Sequence, residues 1–149
     1  MQPLKVPGAL PSLKLIRDYV TEACTLANID KRVGYRLRLA VDEIATNIIN
    51  YGYERSQMSG DIEVSAHVHD DSLTIILEDT AVPFDPLLHP TPDNLDSPLE
   101  RRDIGGLGVY LAIQGTDKFL YERIDDRNRN IFVVKRAAPT SSDAAASAS

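Results

Sequence analysis

Glu43 and Asn47 stand four residues apart within a helical pattern, so a carboxylate and a carboxamide share one helix face. Such a pair can hold a metal ion and a nucleophile together. Further on, Gly105-Gly106-Leu107-Gly108 opens a second helical pattern. A glycine-rich turn at a helix start offers bare backbone N–H groups to phosphate. Between the two fragments, an apolar strand pattern ends in Asp79, and an acid at a strand end can read an adenine amino group. The three fragments read together as a nucleotide site for phosphate chemistry.

The elements that must position these groups follow from periodicity. Residues 11–28 carry Leu13, Ile16, Val20, Cys24 and Ala27 at helical spacing. Asp30 is a suitable N-cap for a second helix reaching about Tyr51, with the stripe Val33, Leu37, Ala40, Val41, Ile44 and Ile48, and Gly52 is expected to end it. From Asp61 the period changes to two: Ile62, Val64, Ala66 and Val68 alternate with Glu63, Ser65, His67 and His69. Asp70-Asp71 signals a turn, and residues 72–79 return as the second strand of a hairpin. Asp79 shares a face with Leu73, Ile75 and Leu77, which puts it between sheet and helices if that face is covered.

Residues 80–104, with Pro83, Pro86, Pro90, Pro92 and Pro98, read as a long functional loop. A short helix is expected from Gly106 to about Gln114. Strands near residues 118–124 and 130–135 would flank a turn at Asp125-Asp126-Arg127-Asn128. The expected organisation is one domain over residues 1–136 and a disordered Ala/Ser-rich tail over 137–149.

Composition narrows the function classes. A net charge of -6 speaks against nucleic acid as a partner, which would call for a basic stripe. The single Cys24 cannot close an intramolecular disulfide, which favours a reducing compartment, and its apolar stripe suggests an inert core thiol. With no apolar run of membrane-spanning length and no signal-peptide core, a cytoplasmic protein without a membrane partner is expected. His67 and His69 share a polar strand face, where solvation is a better reading than metal binding.

Assembled in this order, the fragments resemble the Bergerat-fold (GHKL) ATPase superfamily, and within it the small anti-sigma-factor serine/threonine kinases. Val41-Asp42-Glu43-Ile44-Ala45-Thr46-Asn47 is similar to the family's N box, residues 79–86 to its adenine-binding box, and residues 105–111 to its phosphate-binding box. The resemblance implies a two-layer α/β sandwich, its sheet mixed and mainly antiparallel, with helices on one face and ATP between the layers. By the same resemblance, Glu43 would act on the acceptor hydroxyl and Asn47 would ligate Mg²⁺. Asp79, Ala81 and Pro83 would contact the nucleotide, and Gly105, Gly106, Leu107 and Gly108 its phosphates; apart from the boxes, Arg101 and Arg102 at the end of the proline-rich loop could reach the phosphates as guanidinium clamps. Implied partners are a STAS-type antagonist protein, a sigma factor or similar regulator, and a second copy of the chain contacted through residues 2–10. A non-catalytic ATP-binding partner-switching module is the alternative. Ala81 replaces a glycine usual in the family; a left-handed backbone there would cost about 1–2 kcal/mol, a negative φ little. Tyr51 likewise stands where the family often has histidine.

Overall fold

The computed structural model describes residues 1–86, 110 and 113–136. Two helices, α1 (Leu13–Leu26) and α2 (Lys31–Asn47), pack on one face of a five-stranded sheet. Its strands are β1 (Leu4–Pro7), β2 (Asp61–Val68), β3 (Ser72–Asp79), β4 (Lys118–Ile124) and β5 (Arg127–Lys135), in the order β1-β2-β3-β5-β4. The two-layer sandwich is as expected. Every pairing among the described residues is antiparallel, so the sheet they form is antiparallel rather than mixed.

The core sits where the two periodicities meet. Ile16, Val20 and Ala23 of α1 and Leu37, Ala40, Val41 and Ile44 of α2 are fully buried against Ile62, Val64, Leu73, Ile75, Leu77, Phe132 and Val134. Phe119 and Phe132 meet edge to face across β4 and β5, an arrangement aromatic quadrupoles favour. Asp30 caps α2 as its residue type suggests, its Oδ1 accepting from the Arg32 N–H at 2.9 Å. On the opposite sheet face Glu78 pairs with Arg127 and Arg129, and Arg129 also meets Glu122.

Three local expectations change. The N-terminal segment supplies strand β1, which pairs with β2 at the sheet edge and buries Val6. Gly52 does not stop the second helix. The chain instead leaves α2 through a π-helical segment, Ile48–Glu54, and Gly52 is buried inside it. A Cβ on Gly52 would lie 2.8 Å from the Ala81 Cβ, so glycine is there for close approach. Finally, the turn before β5 is shorter than expected. Asp125 and Asp126 both take positive φ, 50° and 65°, as a two-residue hairpin turn of the primed type requires. Arg127 and Asn128 therefore belong to β5, where Asn128 pairs with Arg123 on one side and Asp79 on the other.

Of the 80–104 loop, residues 80–86 are described; of the expected short helix, Tyr110, Ile113 and Gln114 are described and helical. The remainder of both, and the tail from residue 137, lie outside the described residues.

Candidate functional site

A cleft opens between the end of α2, the π-helical segment, the end of β3 and strand β5. Ile44, Asn47, Ile48 and Gly52 line it from the helix side, and Asp79, Ala81, Asn128 and Asn130 from the sheet side. The π-helical repeat, bonding each N–H to the carbonyl five residues back, widens the last turns of the helix and directs both Asn47 and Gly52 into this cleft. Arg55 N–H to Asn50 O at 3.0 Å continues that repeat, and a Schellman closure around Gln57, whose φ is 54°, ends it with Met58 N–H to Tyr53 O at 2.8 Å.

Asp79 is almost wholly buried, at 1% exposure, and its two oxygens are treated differently. Oδ1 accepts from the Ala81 N–H at 3.0 Å and from Asn128 Nδ2 at 2.8 Å. Oδ2 is buried without a partner. Burial raises the carboxyl pKa above the usual aspartate range; the bonds from Asn128 and Ala81 and the charges of Arg123 and Arg127 oppose the rise. The strand end carrying Asp79 is pinned from the helix side as well. Tyr53 Oη accepts from the Thr80 N–H at 3.0 Å and donates to the Asp61 carbonyl at 2.7 Å.

Asn47 is buried with its Nδ2 unpaired, and Asn130 is buried with its Oδ1 unpaired. A buried polar atom without a partner costs about 1–3 kcal/mol, so three lining one cleft mark a surface shaped for a polar ligand. A purine amine suits the acceptors, and the Asn47 amide oxygen is a hard ligand of the kind Mg²⁺ takes together with phosphate and water. Glu43, one turn before Asn47, is exposed. Partial burial, then the neighbouring Asp42 carboxylate, raises its pKa above the usual glutamate range. Asp42 itself accepts from Arg17 of α1 at 2.8 Å.

The structure thus brings Asn47, Asp79 and Ala81 into one cleft, and Glu43 is not among the residues lining it. Pro83 is exposed and does not line the cleft. Ala81 is not among the non-glycine residues with positive φ, so no left-handed penalty arises, and its Cβ occupies the space that Gly52 leaves. Arg101, Arg102, Gly105, Gly106, Leu107 and Gly108 lie outside the described residues. Sequence reasoning missed Asn128, Asn130, Gly52 and Tyr53. The two asparagines had a signal: they occupy the inward positions of a strand whose other inward residues are Phe132 and Val134.

The fold and site define the class as a two-layer α/β sandwich with a cleft between helices and sheet, lined by a buried acid at a strand end. The family model of the histidine kinase-like ATPase domain matches residues 6–135, and the chain belongs to that family. This agrees with the GHKL resemblance of its sequence boxes. Among curated proteins, the chain is similar to Serine-protein kinase RsbW of Oceanobacillus iheyensis, 30% identical over 104 residues, covering 63% of this chain and 65% of that protein. It is also similar to Serine-protein kinase RsbW of Bacillus licheniformis, 29% identical over 58% of this chain and 60% of the relative. A third such protein, from Halalkalibacterium halodurans, is 28% identical over 63% and 62%. The chain covers less than two thirds of the length of these relatives. No helix among the described residues is long and apolar enough to cross a membrane.

Proposed function

We propose that this protein is an ATP-dependent serine/threonine kinase. Its substrate in this reading is a small STAS-type antagonist protein, and through it a sigma factor or similar regulator is controlled in the cytoplasm. The observation that carries the reading is the free Oδ2 of Asp79, a buried acceptor facing a cleft that Asn47 also lines. ATP brings the phosphoryl group, and Mg²⁺ when bound neutralises its charge. The chain's own residues then have distinct tasks. Asp79 accepts from the adenine amine, the Asn47 amide oxygen serves as metal ligand, and Glu43 accepts the proton of the attacking hydroxyl. Glu43 suits that task because it is exposed, within reach of a protein substrate, and its raised pKa brings its basicity closer to neutral pH. In this reading the phosphate-binding box, Gly105, Gly106, Leu107 and Gly108, contacts the phosphates, and Arg101 and Arg102 before it clamp them as guanidinium groups. The relatives, serine-protein kinases by name, agree with this chemistry.

Labelled ATP, Mg²⁺ and a candidate STAS-type protein test the proposal in one tube, with calorimetry of ATP binding alongside. Label on a serine or threonine of the acceptor supports it. Tight ATP binding without transfer to any such acceptor makes the protein a non-catalytic module, and no binding at millimolar Mg-ATP removes the nucleotide reading. A homodimer belongs to the same proposal, and a monomer mass by light scattering with ATP present counts against it.

A further inference from the structure

Resting on the nucleotide reading above, we propose that Asn128 is the positioning residue that sets base selection, by forcing Asp79 to present a single acceptor to the ligand. The orientation of the Asn128 amide follows from its neighbours. Its Oδ1 side faces Arg123 Nη1 at 3.1 Å and the Tyr121 hydroxyl. A guanidinium only donates, so the atom facing it is the oxygen. On the other side stand the Ala81 carbonyl at 3.3 Å, the Val82 carbonyl at 3.0 Å and Asp79 Oδ1 at 2.8 Å. Carbonyls only accept, so the atom facing them is the NH₂. The amide cannot flip without setting donor against donor on one side and acceptor against acceptor on the other.

This fixed amide acts through Asp79. Its Nδ2 and the Ala81 N–H both donate to Oδ1, which prevents rotation of the carboxylate and leaves Oδ2 as the one acceptor available to a ligand. Arg123 also donates to the Ala81 carbonyl at 3.1 Å, so the same cluster holds the backbone that follows the acid. A purine with an exocyclic amine at the six position can donate to Oδ2. A six-oxo purine would set its oxygen against it. Without the Asn128 donor the charged form of the carboxylate loses support, and a protonated carboxyl carries an O–H that can donate to a six-oxo group, which relaxes the distinction. Among the described residues, the charged or titratable groups around Asp79 include Arg123 of β4, Arg127 of β5, the Tyr121 hydroxyl through Asn128, and the Tyr53 hydroxyl on Thr80.

Calorimetric affinities for Mg-ATP and Mg-ITP, which differ only in the six-amino and six-oxo groups, test the role. Wild-type protein is expected to prefer ATP by about tenfold or more, the scale of one hydrogen bond to a charged group. Asn128→Leu, close in volume but without polar atoms, should narrow that preference to within roughly threefold. Asn128→Ser, whose hydroxyl reaches only part of the acceptor set, should narrow it less, and it carries the test if the leucine variant fails to give a cooperative thermal melt. A merely structural asparagine would lower both affinities by one factor and leave the ratio alone. Any folded variant that keeps the wild-type ratio overturns the assignment. A wild-type protein that binds neither nucleotide defeats the underlying ATP reading instead.

Discussion

Replacing Asp79 by Asn should separate stability from binding. The substitution keeps an oxygen in the place of Oδ1, so the bonds from the Ala81 N–H at 3.0 Å and Asn128 Nδ2 at 2.8 Å survive. In the place of Oδ2 it puts an NH₂, which sets a donor against the adenine amine. Loss of a hydrogen bond to a charged acceptor is worth about 1.5–3 kcal/mol, so ATP affinity should fall by about 10- to 150-fold. The free protein should respond in the opposite sense. Burial raises the folded-state pKa of Asp79, so the folded chain holds its proton at pH values where the unfolded chain has lost it. The contribution of this group to stability therefore declines as pH rises from the ordinary aspartate range through the raised value, above which the buried charge weighs fully against folding. Asp79→Asn removes that charge. Its melting temperature without nucleotide should equal or exceed that of the wild type, while the stabilisation by Mg-ATP largely disappears. ATP binding by the wild type should weaken as pH falls through the same window, because a protonated carboxyl ceases to be a pure acceptor. Calorimetry and thermal melts at several pH values read all of these. A variant that binds ATP within threefold of wild type, or that melts well below it without ligand, refutes the reasoning.

Glu43→Gln should lower single-turnover phosphate transfer by roughly two to four orders of magnitude, the range for a positioned general base. Its ATP affinity should change by less than about tenfold, so wild-type transfer would show the carboxylate to be structural. Asn47→Ala should weaken binding and transfer together, and the loss in binding should vanish when ATP is titrated without Mg²⁺; an equal loss in both titrations argues against a metal ligand. Gly52→Ala should destabilise by about 1–3 kcal/mol through overpacking, since its Cβ would fall 2.8 Å from that of Ala81. Adding Ala81→Gly should recover most of that stability; additive losses in denaturant titrations would show that the two residues are not coupled.

The local chemistry of this chain is legible without coordinates. The helical stripe through Leu37, Val41 and Ile44, the Asp30 cap and the alternation through Ile62, Val64, Leu73, Ile75 and Leu77 depend on near neighbours, and each appears where spacing puts it. The face of β3 that carries Asp79 follows from the same alternation, because a strand's parity fixes which side every residue takes. Other features depend on partners far away in the chain. Asn128 meets Asp79 across a separation of 49 residues, through a β3–β5 register set by the Asp125-Asp126 turn. A four-residue turn would leave Asn128 outside the strand, and only the pairing shows it facing the acid. Gly52 reads as a helix stop when only its propensity is considered. In the fold it continues the helix as a π-turn, because Ala81, 29 positions later, occupies the space a side chain would need. Composition and period thus determined the layers and the acid at their junction. Which oxygen of that acid stays free was decided by long-range packing, since it depends on donors that no local pattern brings together.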